Sequence, residues 1–194
     1  MEDRTSFFCL AASLRSDSLN EQLLKVVARQ IDEREKTDVD VAKLNEFPLP
    51  LYDADIQHQQ GLPEQAHRLR DAIVAAGNVV VATPEYNHSI AGPLKNAIDW
   101  ISRFRPNPWS ETRVLLLSAA PSRVGGLRGL EQTRIPLQAL GAHVYPRLFG
   151  LGDARRILDD GTVTDDEVRG DLHRVVDDFV DHVRLFDREE TTDS

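Results

Sequence analysis

Apolar residues recur along this chain with two different periods, and the alternation between them predicts its elements. Three segments, Ser6–Ala11, Asn78–Thr83 and Arg113–Ala119, are nearly continuous apolar runs. A run of that length without polar interruption predicts a strand buried on both faces. Two further strands have a different character. Asp38–Leu44 alternates, with Val39 and Val41 between polar neighbours, and His143–Phe149 contains Pro146. Between the strands, apolar positions return every three or four residues, as on one face of a helix. Leu23, Leu24, Val27 and Ile31 form one such stripe, and Leu62, Ala66, Leu69, Ile73 and Ala76 a second. Leu94, Ala97, Ile98 and Ile101 mark a helix over Pro93–Arg103, with proline in its first turn. Another helix is expected to end near Gly141. The last spans about Asp165–Phe186, with Val168, Leu172, Val175, Val176, Phe179 and Val183 inward.

Strands that alternate with helices predict an α/β fold: a parallel sheet between two helical layers. An alternating strand and a proline-containing one belong at sheet edges, because proline lacks the N–H that a central strand must donate. This arrangement fits a five-stranded flavodoxin-like three-layer sandwich with strand order 2-1-3-4-5. The loops after strands one, three and four then meet at one end of the sheet, beside its topological switch point. A single domain is expected over residues 1–188, with 189–194 as a disordered tail.

Composition mainly excludes. At 194 residues with 41% hydrophobic and 28% charged residues, the chain has the make-up of a soluble globular domain. The apolar segment Phe7–Ala12 is too short for a signal peptide, and no run approaches a membrane span. The single cysteine rules out an internal disulfide or a cysteine-cluster metal site and points to the cytoplasm. The formal net charge of −9 argues against a nucleic-acid partner, which requires a basic face. The six histidines include no ligand-spaced pair, so no metal site is expected. Cys9 reads as a small buried hydrophobe. No serine has a G-x-S-x-G context.

The candidate chemistry lies in the three converging loops. After strand one, Ala12-Ser13-Leu14-Arg15-Ser16-Asp17-Ser18-Leu19-Asn20 opens a helix with hydroxyls, an amide and a cation. Such a helix start suits an anion. It equally suits simple capping by Ser16, Asp17 or Ser18. Neither G-x-G-x-x-G nor a Walker A sequence is present, so a phosphomonoester fits better than a dinucleotide pyrophosphate. After strand three, Pro84-Glu85-Tyr86-Asn87-His88-Ser89 offers polar groups beside one aromatic ring, suited to the edge of a flat heterocycle. Alternatively Glu85 braces the loop against neighbouring N–H groups. After strand four, Ser118 leads to Gly125-Gly126, where paired glycines permit close ligand approach or a sharp bend into a helix.

At these loops the chain resembles the NADPH-dependent FMN reductase family, flavodoxin-like enzymes that include quinone, azo-dye and chromate reductases. The segment Ala12–Asn20 is similar to the family's G-S-L-R-x-x-S-x-N phosphate loop. Pro84–Trp100 resembles its long P-E-Y-N-x-S-x-P-G-x-L-K-N-A-I-D-W signature, and Ser118–Arg128 its S-A-S-P-G-x-x-G-G-x-R loop. The Asp160-Gly161 turn is similar as well. The resemblance implies that Ser13, Arg15, Ser18 and Asn20, with Leu19 among them, hold the phosphate of FMN. It implies that Pro84, Glu85, Tyr86, Asn87, His88 and Ser89 line its ring system, with Ser118, Gly125 and Gly126 on the other side. Ala12, Ala91 and Ser122 depart from the family's usual glycine, proline and glycine. Of these, Ala12 is the one whose side chain would crowd the phosphate loop.

By the same resemblance, NADPH or NADH donates hydride to the flavin N5 and a small-molecule acceptor collects the electrons, ping-pong fashion. No side chain then needs to act as acid, base or nucleophile. Arg103, Arg105, Arg123 and Arg128 are candidate contacts for a 2′-phosphate. The usual assembly is a homodimer or a dimer of dimers with FMN near the interface, where Trp100, Trp109 and Phe104 are candidate contributors, core packing being the alternative for Trp100. The competing reading is a flavodoxin-like electron carrier that binds FMN but oxidises little NAD(P)H itself.

Overall fold

The protein is described by a computed structural model over residues 4–159 and 161–192, with backbone alone for 187–192. The central strands are β1 (Thr5–Ala11), β3 (Asn78–Ala82) and β6 (Arg113–Ala119). All three are apolar runs, and they lie side by side in parallel. At one edge β2 (Thr37–Lys43) pairs with β1; at the other, β7 (His143–Val144) and β8 (Phe149–Leu151) pair with β6. The order β2-β1-β3-β6-β7 is the expected one, with β7 and β8 together forming the fifth strand.

That fifth strand is broken where the sequence led us to expect continuity. Val144 sits opposite Val114 and Phe149 opposite Leu117, so this strand takes five steps against three in its partner. Pro146 has no N–H to contribute, and the chain bulges around it before pairing resumes.

Side chains alternate across the sheet, and the two faces have separate cores. Phe7, Cys9, Val80, Ala82, Leu115 and Leu117 pack under α1 (Leu19–Asp32) and α7 (Asp166–Thr192). Phe8, Leu10, Val79, Val81, Val114 and Leu116 pack under α3 (Glu64–Ala76), α4 (Gly92–Ile101) and α5 (Leu127–Ala139). Phe104, Trp100 and Trp109 belong to this second core at 7%, 0% and 2% exposure. Core packing claims them, which corrects their candidacy for a subunit interface. Among the described residues no helix is long and apolar enough to cross a membrane.

Several small elements escaped the sequence pattern. Helix α2 (Ala54–Gln60) buries no residue and so has no apolar stripe to betray it; Asp53 starts it by accepting from the Asp55 N–H. The strands β4 (Glu85–Tyr86) and β5 (Ser89–Ile90) form a hairpin inside the loop after β3. A short helix, α6 (Ala154–Ile157), and the hairpin β9 (Leu158–Asp159) and β10 (Thr162–Val163) precede α7. Asp160, and with it half of the expected Asp160-Gly161 turn, lies outside the described residues. So do residues 193–194 of the expected tail and the side chains of 189–192.

Candidate functional site

The loops after β1, β3 and β6 meet at the carboxyl end of the sheet around a cleft of about 580 Å³, a size typical of small-molecule sites. The ladders run past the strand ends to hold those loops level. Ala12 donates to the Ala82 carbonyl, Thr83 to Leu117 and Ala120 to Leu151, at 2.8–3.0 Å. Ser13, Arg15, Ser18, Leu19, Asn20, Pro84, Glu85 and Tyr86, all expected at the site, line this cleft.

One end of the cleft is built for an anion. The N–H groups of Leu19 and Asn20, in the first turn of α1, have no acceptor among the described residues. Ser18 caps that turn by accepting from the Glu21 N–H at 3.3 Å, and Ser13 accepts from the Arg15 N–H at 3.4 Å. Both hydroxyls keep their own hydrogens to donate. Capping and anion binding were posed as alternatives for Ser18, yet a capping hydroxyl can serve both. The Arg15 side chain is exposed at the rim and forms no hydrogen bond or ion pair with the described residues.

Asn20 has a task that its position in the motif did not reveal. It is 4% exposed, and its amide grips Ala119 from both sides. Its Nδ2 donates to the Ala119 carbonyl at 3.1 Å, and its Oδ1 accepts from the Ala119 N–H at 2.9 Å. The start of α1 is thereby pinned to the end of β6. On the other side, Lys43 at the end of β2 and Lys25 on α1 both lie 2.7 Å from the Glu21 carboxylate. Burial pushes the Glu21 carboxyl up, but the two ammonium groups outweigh it and hold it below its ordinary value.

Pro84, Tyr86, Ala119, Ala120 and Pro121 supply apolar and aromatic lining to the same cleft. Tyr86 stands on the β4–β5 hairpin at 44% exposure. The two-residue turn of this hairpin, Asn87-His88, has φ of 50° and 59°, the geometry that tight hairpins favour. Asn87, His88 and Ser89 therefore shape the hairpin and are not in the cleft wall. His88 instead lies 3.2 Å from Glu85 and 3.0 Å from Arg128 through its Nδ1.

Glu85 does brace the loop. Its Oε2 accepts from the Gly129 N–H at 2.9 Å, in the first turn of α5. The N-cap of that helix, Gly126, has no side chain to supply an acceptor, so a carboxylate from another loop takes the place of a cap. Glu85→Ala is expected to lower unfolding free energy by about 1–2 kcal/mol, with Glu85→Gln losing less because it still offers an oxygen. Chemical denaturation checks this; equal stability of the alanine variant would show that the bond is not holding the hairpin.

Ser118, Gly125 and Gly126 lie behind the cleft wall. A Cβ on Gly126 would fall 2.1 Å from the Ser118 Oγ, which is itself buried without a hydrogen-bond partner. These glycines serve the sharp bend into α5. Ala12 does not crowd the loop, because its methyl is buried in the core under α3 and α4 and is absent from the cleft lining. Arg103 and Arg105 bond oxygens of their own segment, from Asp99 to Phe104. The second half of the long signature is structural. Asn96 accepts from the Tyr52 N–H and donates to the Pro50 carbonyl, which the Trp100 indole also reaches, at 2.7–2.9 Å.

Gln22, Arg155 and Leu158, which no sequence motif marks, also line the cleft, as do the capping candidate Asp17 and the β6-loop residues Ala119, Ala120 and Pro121. Arg155 and Leu158 come from the segment after β8, which no motif distinguishes. Cys9 offers no nucleophile: burial first, and then the Asp40 charge, push its thiol up to about 12.

Residues 5–155 match the family model described as NADPH-dependent FMN reductase. A quinone reductase of Escherichia coli K12 is 32% identical over 195 residues, covering 95% of this chain and 100% of its own. A flavoenzyme NAD(P)H:acceptor oxidoreductase from Paracoccus denitrificans superposes with a TM-score of 0.80 at 30% identity, over 93% of this chain and 98% of that one. An oxidised flavodoxin from Bacillus cereus, at 13% identity and a TM-score of 0.58 over 91% and 98% of the two chains, shares the fold. The chain belongs to the NADPH-dependent FMN reductase family, and its sheet is flavodoxin-like.

Proposed function

We propose that this oxidoreductase of the NADPH-dependent FMN reductase family binds FMN in the cleft at the carboxyl ends of β1, β3 and β6. There it passes electrons from NADPH or NADH to a small-molecule acceptor such as a quinone or free FMN. The observation that carries this reading is the make-up of this cleft. It combines N–H groups without an acceptor among the described residues, hydroxyls and a guanidinium with apolar and aromatic lining. That donor set fits a phosphomonoester joined to a planar ring system.

In this reading the N–H groups of Leu19 and Asn20, the hydroxyls of Ser13 and Ser18 and the Arg15 guanidinium hold the phosphate. Pro84 and Tyr86 lie along the rings, and Glu85 keeps their hairpin seated on α5. The chemistry supplied by bound FMN is acceptance of hydride at N5 from a nicotinamide and its later delivery to the acceptor, in ping-pong order. The protein binds and orients, and no catalytic acid, base or nucleophile is assigned. A cytoplasmic homodimer or dimer of dimers completes the reading. An apolar groove of about 530 Å³, with Leu14, Leu49, Leu51 and Pro93 among its lining residues, offers a surface for a second copy of the chain.

The test is anaerobic mixing of the FMN-loaded protein with NADPH and, separately, NADH, following flavin absorbance. Rapid bleaching by at least one donor is expected. Bleaching by neither would leave the electron-carrier reading in its place, and failure to take up FMN would overturn both.

A further inference from the structure

Arg155 is a cation in the lining of the cleft. It lies in α6 and shares the cleft lining with Arg15, Asp17, Ser18 and Gln22. The backbone around it is firmly held. Ala120 donates to Leu151, Asp153 to Ser122 and Ala154 to Ala120, at 3.0–3.1 Å. Gly152 packs so closely that a Cβ there would fall 2.3 Å from the Arg123 carbonyl oxygen. Ala154, Ile157 and Leu158 are buried at 0%, 6% and 6% exposure, so the segment that carries Arg155 is anchored in the core on either side of the Arg155-Arg156 pair. The Arg155 side chain, by contrast, is exposed and forms no hydrogen bond or ion pair with the described residues.

Its setting makes that freedom informative. The chain carries 32 acidic against 23 basic residues, and Arg4, Arg34, Arg134, Arg147, Arg169 and Arg174 are each paired with carboxylates. Even its neighbour Arg156 leans toward Asp153 at 4.0 Å. Of the two acidic residues in the cleft lining, Asp17 accepts from the Gln22 Nε2 at 3.4 Å and Glu85 accepts from the Gly129 N–H at 2.9 Å. A phosphomonoester carries nearly two negative charges at neutral pH, whereas the β1 loop contributes only one full cation, Arg15. A second guanidinium in the cleft lining would balance the dianion and present a planar fork of donors to its oxygens.

We propose that Arg155 is a second phosphate-binding residue, adding a guanidinium from α6 to that of Arg15 on the FMN phosphate. This rests on the reading of the cleft as an FMN site. The backbone ladder to the β6 loop sets where the guanidinium can reach, so the residue acts as a fixed jaw.

The experiment measures FMN and riboflavin affinity of the apoprotein by flavin fluorescence quenching, for the unaltered chain, Arg155→Ala, Arg155→Lys and, as a comparator, Arg15→Ala. Riboflavin has the rings without the phosphate. Arg155→Ala is expected to weaken FMN binding roughly tenfold to a hundredfold, to leave riboflavin binding unchanged, and to flatten the salt dependence of FMN affinity. Arg155→Lys should recover part of the loss. Circular dichroism and the unfolding midpoint of the apoprotein should not move, since the side chain has no partner to lose. Equal losses for FMN and riboflavin, or no loss for FMN, would overturn the assignment of Arg155 while leaving the site reading intact. Absence of FMN binding by the unaltered chain would overturn both.

Discussion

Gly125→Ala is expected to destabilise the protein by about 3 kcal/mol or more, with a large fall in its denaturation midpoint. Two independent costs meet at this residue. Its φ of +66° lies in the left-handed region, which costs an L side chain roughly 1–2 kcal/mol. A Cβ there would also fall 2.5 Å from the carbonyl carbon and oxygen of Gly150 and 2.8 Å from the Gly152 nitrogen. Every one of those atoms is backbone, so no rotamer change relieves the overlap. Either β8 or the loop after β6 must shift, and overpacking of this kind typically costs about 1–3 kcal/mol. The shift would carry the Ala119–Pro121 wall with it, so FMN affinity should fall as well. Gly170→Ala is the matched control. Gly170 lies in α7 with nothing within 4 Å of its would-be Cβ, and that change should stabilise by about 0.5–1 kcal/mol. Urea titrations of both variants check the pair. A loss below about 1 kcal/mol for Gly125→Ala would contradict the close approach of the two loops.

Asn20→Asp is the second substitution with a large expected effect, although it replaces only an NH₂ by an oxygen. The carboxylate can still accept from the Ala119 N–H. It turns its other oxygen, however, on the Ala119 carbonyl that Nδ2 now satisfies at 3.1 Å. A bond is lost, two acceptors face each other, and a charge is placed where the native side chain is 4% exposed. An unsatisfied buried group costs about 1–3 kcal/mol, and more for a charged one. We therefore expect a stability loss of about 2–4 kcal/mol at neutral pH. The new charge also sits in the first turn of α1, at the anion end of the cleft, so FMN should bind more weakly than riboflavin loses affinity. Asn20→Ala separates the two effects: it loses the clamp without adding the charge, so its FMN and riboflavin affinities should fall in step. Parallel losses for both ligands in Asn20→Asp would place the phosphate away from this turn.

Both substitutions fall on residues whose motif is legible in the sequence while their work is not. Asn20 belongs to a phosphate-loop motif, yet its amide is committed to a backbone 99 positions further along the chain. Gly125-Gly126 signals a tight bend, but the atoms that demand glycine belong to β8 and to Ser118. Glu85 is similar: the brace was foreseeable, but that it caps α5, whose own N-cap is a glycine, depends on the hairpin lying against that helix. Arg155 had no signal at all. It is one of two adjacent arginines in a short mixed segment with no motif, and only the pairing of β8 with β6 brings that segment to the cleft.

The sequence by itself determined the layered α/β architecture and the strand order. Which faces of a strand or helix are apolar is a local property of consecutive residues, and burial must follow it. It also determined which three loops meet, since a parallel sheet puts the loops that follow its strands at one end. The tertiary structure decided what each side chain in those loops does. Hydrogen bonds from Asn20 to Ala119 and from Gly129 to Glu85, and the approach of Gly125 to Gly150, join positions that no local pattern relates. The break in the fifth strand lies between these cases. Pro146 announced that a hydrogen bond would be missing, but only the register against β6 showed how the chain bulges to accommodate it.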